Sequence, residues 1–562
     1  MASLTKSKTL FAFTSPRTIE KTIPEIDLLG RKFLGKRWRG NSQLQSDYFD
    51  VLFKSDFYEG EAYPKDPALA ARDRITRAPK ALGFVDLEDK VAITKAGVAL
   101  LSGKRVDEVI TRQLLKFQLP SPNHTQSTHV EFCIKPYLEL LRLTSELDGI
   151  SITEIALFFV QLTHFEDYVK IKKSVLRFRE QSKQNKKNRK AFVEGQFQIQ
   201  LKKIYAAEIN SEMTTTRQSN DKSLEKFLAT KRSNLRDYAD AFVRYLRATQ
   251  LVTFNVQSNR LKISKFRQSD VDYILQTIER EPEDFSDKSA FRAYLFDDQL
   301  PVLLSDDRKV LASKLKSFGV SLPQIKLESV EQLKDRIEAI ERSVATEQIE
   351  EAEESLKDFK SVAELEAVFE QIGNKEIPDA PLYLEWNVWR AMVMLNDAVS
   401  VQGHFKRDLD GMPLSSAPGN HPDIECNYAD FKLIVEVTLS SGRKQFEMEG
   451  EPVAHHFGQV RKASSKPTYC LFVANKLNPG AVAHFFNLNR FNTAAYGGQT
   501  SIVPVELSVF RGMLLKARDE NLQDSRRLKA FLQTMVEHGR DAEDENQWLD
   551  AIQKSAKNWC AA

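Results

Sequence analysis

"NHPDIECNYADFKLIVEVTLSSG", residues 420–442, poses the question on which the reading of this chain turns. A turn-like Gly-Asn-His-Pro leads into Asp423, and thirteen residues later Glu436 stands in the middle of the apolar run "DFKLIVEVTLS" (430–440). A carboxylate inside an apolar strand is costly unless it is neutralised, paired or bound to a metal. Asp423 leaves a proline turn, from which its side chain can point to a neighbouring strand end. Two hard oxygen ligands brought together in this way suit Mg²⁺, which takes one or two carboxylates and leaves its other positions to water and phosphate. An ion so held activates water and steadies charge on a phosphodiester.

Pro-Asp, a spacer and Glu-x-Thr match the nuclease pattern PD-(D/E)xK except at its last position, where Thr438 replaces lysine. The plainer alternative has Asp423 capping a turn and Glu436 paired with a base such as Lys432. Downstream, "RKQFEMEGEPVAHHFG" (443–458) reads as a helix on which Glu449 and His456, seven apart, share one face. Such a pair can supply what the missing lysine does not, a base or water-orienting group and a group to steady the phosphate. The ordinary role of a histidine near acids is a plain hydrogen bond. Glu385 in "LYLEWN" (382–387) is a further candidate, against the ordinary reading of a glutamate that complements a helix dipole.

Working outward, "LEWNVWRAMVMLN" (384–396) is an amphipathic helix, and "TYCLFVAN" (468–475) and "SIVPVEL" (501–507) are apolar strands. Alternating helices and strands predict an α/β domain around a mixed sheet. Strands this uniformly apolar are expected to be covered on both faces.

The N-terminal half has another grammar. In "APKALGFVDLEDKVAITKAGVALL" (78–101) a short helix closes at Gly83, strands follow at "FVDL" and "VAIT" around a polar turn, and a helix starts at Thr94. "DYADAFVRYLRATQLVTFNVQSNRLKIS" (237–264) repeats the scheme, with Tyr238, Phe242, Tyr245 and Leu246 at helical spacing before a hairpin turning at Gln257–Asn259. Both look like winged helices, whose hairpin is the wing, and two of them suggest a reader of duplex DNA. Winged helices also serve as protein-interaction modules. Arg72, Arg74, Arg77 and Lys80 lie just before the first hairpin, and residues 170–190 carry ten Lys/Arg against the single acid Glu180. Such density suits phosphates, and a guanidinium can also address guanine; the alternative for 170–190 is a solvated helix face or loop. Residues 324–375 are helical by propensity and acidic, and read as a spacer.

A chain of 562 residues exceeds one core. The expected division is 1–135 and 136–300, two winged-helix-like recognition subdomains; 301–378, a helical linker; and 379–562, the α/β domain. Four scattered cysteines without a CxxC pair exclude a disulfide framework and a zinc finger. No apolar run is long enough to span a bilayer and no signal peptide is visible, so a cytoplasmic protein is expected.

Several segments together resemble type IIS restriction endonucleases of the AlwI family: "FTSPRTIEKTIPE" (13–25), "ARDRITRAPKALGFV" (71–85), "ITKAGVALL" (93–101), "LEWNVWRAM" (384–392), the run 419–456 through "HPDIECNYADFKLIVEVTLSSGRKQFEMEGEPVAHH", and "YCLFVA" (469–474). The resemblance implies a mainly α, multidomain protein with a recognition half and a C-terminal PD-(D/E)xK-type, Mg²⁺-dependent nuclease domain. It implies catalytic roles for Asp423, Glu436, Glu449 and His456, metal ligation by Asp423, Glu436 and the Val437 carbonyl, and an acidic position near the site at Glu385, which is taken as a further metal residue. Thr438 is then no departure, because the family shows the same Glu-Val-Thr. Arg17, Arg72, Arg74, Arg77 and Lys80 are the DNA-binding candidates. The expected activity is site-specific cleavage a few base pairs from an asymmetric duplex sequence, nicking as a monomer and cutting both strands with a second copy or a small nuclease subunit. A companion DNA methyltransferase is implied and no membrane partner. The competing readings are a non-catalytic DNA-binding regulator and a structure-specific repair nuclease.

Overall fold

The computed structural model describes residues 6–16, 18–58, 63–124, 126–216, 220–284, 286–395, 397–416, 421–522 and 524–561. The chain is mostly helical and divides into two compact units, Met1–Glu341 and Arg342–Ala562. The division falls inside the helix Val330–Leu356. Leu311, Leu315, Ile325, Leu333 and Ile337 form an apolar cluster in the first unit. In the second, the Leu365 carbonyl accepts from Asn387 and the Glu364 carboxylate from Arg390. The helical run itself breaks at Asp358 and Phe359, whose φ values of 63° and 59° lie in the left-handed region. Aspartate enters that region more readily than most residues, and burial of the Phe359 ring stabilises the break.

In the first unit, α1 (Pro67–Ile75) starts at Asp66, whose carboxylate accepts from the Leu69 N–H, with proline in the first turn where no N–H is needed. After α2 (Ala78–Ala81), the strands β1 (Val85–Asp86) and β2 (Ala92–Ile93) form an antiparallel hairpin that runs into α3 (Lys95–Leu101). Thr94 holds the junction: its hydroxyl donates to the Gly83 carbonyl at 2.6 Å and accepts from the Gly97 N–H at 3.0 Å. A Cβ at position 97 would stand 2.1 Å from the Phe84 carbonyl oxygen, so only glycine lets α3 lie this close to the hairpin. The second helix-and-hairpin pattern also forms. In α4 (Leu224–Arg247), Leu235, Ala239, Phe242 and Leu246 are buried at helical spacing. Strands β3 (Val252–Asn255) and β4 (Arg260–Ile263) pair antiparallel, turning through Asn259 at φ 52°.

In the second unit the strands β5 (Ser400–Gly403), β8 (Ile424–Asn427), β9 (Lys432–Thr438), β10 (Thr468–Ala474) and β11 (Ile502–Glu506) form a five-stranded mixed sheet in the order β11-β10-β9-β8-β5, while β6 (Lys406–Arg407) and β7 (Pro413–Ser415) form a separate ribbon. β9, β10 and β11 are parallel, so helices must carry the chain back between them. These are α5 (Arg443–Ala463) and α6 (Pro479–Arg490). β8 and β5 complete the sheet antiparallel. Every residue of β10 is buried, as is β9 from Leu433 on, which bears out the expectation of strands covered on both faces. Each large apolar side chain buried there contributes about 1.5–3 kcal/mol. β5 and β8 escaped the sequence reading because they are four residues long and their burial alternates or is partial.

Candidate active site

Position follows from register. β8 and β9 pair with Ile424 opposite Val435, so the next pair outward sets Asp423 across from Glu436. Asp423 is locked there because its Oδ2 accepts the Val437 N–H at 2.7 Å, while its own carbonyl accepts the His404 N–H at 2.9 Å. Glu436, only 5 % exposed, lies on the central strand of the sheet. Residues 436 and 438 share one face of β9, and α5 supplies a partner for each. His456 Nδ1 and Glu436 Oε1 are 2.8 Å apart. The Thr438 hydroxyl donates to Glu449 Oε1 at 2.6 Å. Two residues along the strand therefore match seven along the helix, and α5 is clamped over the carboxylates. Gln445, fully buried, fixes the start of α5 by donating to the Ser440 and Lys476 carbonyls and accepting the Asn478 N–H. Pro452 lies within α5 and offers no N–H to its preceding turn.

The electrostatics are one-sided. Burial, the charge of Glu436 and that of Glu449 push the Asp423 carboxyl well above the usual range, against the Val437 N–H that lowers it. Burial and Glu449 do the same to Glu436. His456 is pushed down by burial, with Glu451 and Glu449 opposing. Lys432 does not neutralise Glu436: its ammonium lies 2.8 Å from Glu425 instead, so the plainer pairing considered from the sequence does not form. These carboxyls thus crowd one another, Glu449 adding to the effect of burial at both.

That charge imbalance fits a hard divalent cation. Among the described residues no group of three His, Cys, Asp or Glu side chains is arranged to hold a metal; the oxygen donors that the register brings together are the carboxylates of Asp423 and Glu436. This is the sparse oxygen set that Mg²⁺ accepts and that Zn²⁺ does not favour. Val437 contributes its N–H to Asp423, and Glu385 lies half-buried on the helix Ala380–Met394. The sequence reading missed Thr438 as a ligand of Glu449 and Gln445 as the brace of α5. The repeat of two on a strand against seven on a helix was the available signal for the first.

Of the basic candidates, Arg74 is committed to the fold. Its guanidinium bonds to the Glu25 carboxylate, 1 % exposed, and lies 5.1 Å from the Tyr58 ring centre. Lys80 reaches Glu88 in the β1–β2 turn at 2.6 Å. Arg72 donates to Gln45 Oε1 at 2.7 Å. Arg77 pairs with Asp73 one turn away at 2.7 Å and keeps 31 % of its side chain exposed. Arg72, Arg77, Asn123, Asn234 and Lys231 line a common cavity of about 670 Å³. Arg17 lies outside the described residues. Among the described residues no helix is long and apolar enough to cross a membrane.

No curated protein matches the chain. Solved structures are similar over part of it, among them two from restriction endonucleases. The small subunit (R.BspD6I2) of the heterodimeric restriction endonuclease R.BspD6I shares 22 % identity with a TM-score of 0.30, covering 34 % of this chain and 98 % of its own. The BpuJ1 endonuclease binding domain, in complex with pyrene- and phenanthrene-modified DNA, shares 12 % identity with a TM-score of 0.32, covering 52 % of this chain and 97 % of its own. At these TM-scores neither likeness carries weight. The family model is another matter: that of the AlwI restriction endonuclease matches residues 80–513, spanning both helix–hairpin patterns and the Asp423–Glu436 centre. This chain belongs to the AlwI restriction endonuclease family.

Proposed function

We propose that the protein is a type IIS enzyme, binding a short asymmetric duplex sequence through its first unit and hydrolysing one phosphodiester a few base pairs away. The two helix–hairpin patterns then act as winged-helix-like readers and the second unit as a PD-(D/E)xK-type nuclease domain. The observation that carries the reading is the β8–β9 register, which sets Asp423 opposite Glu436 in a sheet interior, with His456 against Glu436.

Asp423, Glu436 and the Val437 carbonyl would hold Mg²⁺, with Glu385 as a further acid near the site. A bound Mg²⁺ supplies charge neutralisation at the phosphodiester and acidifies water. The protein's share is to pre-position. Val437 N–H orients Asp423, and His456 orients Glu436. Glu449, held by Thr438, is the candidate to orient water or accept its proton, and His456 the candidate to steady the phosphate. Thr438 replaces the motif lysine by fixing an acid rather than by presenting a charge.

One such centre cuts one strand. A single chain is therefore expected to nick, and double-strand cleavage to need a second copy or a small nuclease subunit. In a cytoplasm holding such an enzyme, a companion methyltransferase would protect host DNA. Supercoiled plasmid with Mg²⁺ tests the reading: conversion to open-circular DNA by wild type and not by Asp423→Ala supports it, and binding without cleavage in Mg²⁺ or Mn²⁺ refutes it. Run-off sequencing of the ends then gives site, offset and strand.

A further inference from the structure

The chain between Tyr168 and Ile204 carries twelve Lys/Arg and two Glu, and the proposed chemistry uses none of them. It folds as a helical hairpin, Tyr168–Gln184 and Arg189–Ile204, joined by a short turn. One side is apolar and spent: Tyr168, Ile171, Val175 and Phe178 are buried at helical spacing, as are Phe197 and Leu201, and Phe178 stacks on Phe192 at 5.5 Å. The hairpin is thus pinned to the body of the first unit rather than loose.

Two of its cations are structural. Arg179 binds Glu154 and the Leu147 and Gly149 carbonyls, and Lys172 lies 2.7 Å from Glu146. Among the other ten, Lys173, Arg177, Lys183, Lys186, Lys187, Lys190, Lys202 and Lys203 are all exposed. The acids near them do little to offset this, since Lys183 meets Glu180 only at 3.7 Å with its side chain 72 % exposed. Eight solvent-facing cations on a rigid support repel each other unless a polyanion covers them.

We propose that this hairpin is a sequence-independent clamp for the phosphate backbone of duplex DNA outside the recognised sequence. The inference rests on the reading of the protein as a DNA endonuclease and adds a surface to it. Lysine, a compact hydrated point charge, dominates the tip, and it suits phosphates better than base edges, which bidentate arginine and asparagine read. An anionic membrane is the weaker match, because the hairpin's apolar stripe is already buried and its exposed large apolar side chains are only Val169, Leu176 and Ile199 among the described residues.

The test compares wild type with the fourfold variant Lys183→Gln, Lys186→Gln, Lys187→Gln, Lys190→Gln, measuring binding to a cognate duplex and to one without the site, in EDTA, over a range of KCl. The clamp predicts weaker binding to both duplexes by a similar factor, about tenfold or more near 0.1 M salt, and a log K versus log [salt] slope shallower by about 3 to 4. The run-off cut position at low salt should not move, which also shows that the variant is folded. If wild type cleaves DNA and the variant keeps its affinity and slope, the clamp is wrong and the endonuclease reading stands. Loss of affinity confined to the cognate duplex, or binding by the hairpin of anionic vesicles and not DNA, overturns it equally.

Discussion

The hydroxyl of Thr438 on β9 donates to Oε1 of Glu449 on α5 at 2.6 Å, in the position where the general nuclease pattern carries lysine. A neutral side chain there acts by placing an acid, and this has a direct consequence. Thr438→Val preserves shape and removes the donor, while Thr438→Ser retains it. A hydrogen bond to a charged group contributes about 1.5–3 kcal/mol, so the valine variant is expected to cleave roughly 10- to 100-fold more slowly, with the serine variant near wild type. Single-turnover nicking rates decide it; equal rates for both variants would remove Thr438 from the site.

Asp423 and Glu436 repel one another in the sheet interior, and this makes function and stability oppose. Asp423→Asn and Glu436→Gln retain hydrogen-bonding shape and discard a charge. Each should lose cleavage by at least about a hundredfold and, without divalent ion, raise the melting temperature by a few degrees, about 2–4 °C per kcal/mol for a unit of this size. Added Mg²⁺ should stabilise wild type and leave both variants unmoved. Thermal unfolding with and without Mg²⁺ checks this, and variants less stable than wild type in EDTA would contradict it.

Arg74 and Arg77 stand three residues apart and should behave differently. Burial pushes the Glu25 carboxyl up even against Arg74, so Arg74→Met would leave an unpaired acid inside the first unit, a cost of about 3–5 kcal/mol. The double variant Glu25→Gln, Arg74→Met should recover most of it. Arg77→Gln gives up only a partly exposed pair with Asp73, worth about 0–1 kcal/mol, and its effect should fall on DNA affinity. Urea denaturation beside anisotropy titrations separates the two; unchanged affinity in Arg77→Gln would take it off the interface.

His124 gives the first unit an acid-sensitive point. Burial, ahead of the nearby Lys80 charge, lowers its imidazole to about 4, and its Nδ1 lies 2.8 Å from Ser121 Oγ. Above its ordinary value of about 6.5 both folded and unfolded states are neutral and nothing is lost. Between 6.5 and 4 the unfolded chain takes the proton and the folded one does not, so stability falls as pH falls, by roughly 2 kcal/mol at pH 5. His124→Asn should flatten this difference between pH 7 and pH 5 in urea midpoints. An unchanged pH dependence in the variant would show that other groups are responsible.

The runs of β9, β10 and β11, the helices around 384–396 and 443–458, and both helix–hairpin patterns follow from local periodicity and turn chemistry, and each is found close to its expected residues. Asp423, Glu436, Glu449 and His456 stood out for a related reason: a carboxylate in an apolar strand and an acid–histidine pair seven apart on a helix are anomalies that local rules expose. Pairing is not local. Short edge strands such as β5 have too few residues to show a period, and whether Glu436 meets Lys432 or His456 depends on how α5 folds back over the sheet. Arg74 and Lys80 looked like free cations because their acids, Glu25 and Glu88, become neighbours only on packing. Local composition told where charge stands in this chain; the register of β8 on β9 and the seating of α5 decided which charges face each other, because those contacts close over chain separations that no periodic pattern records.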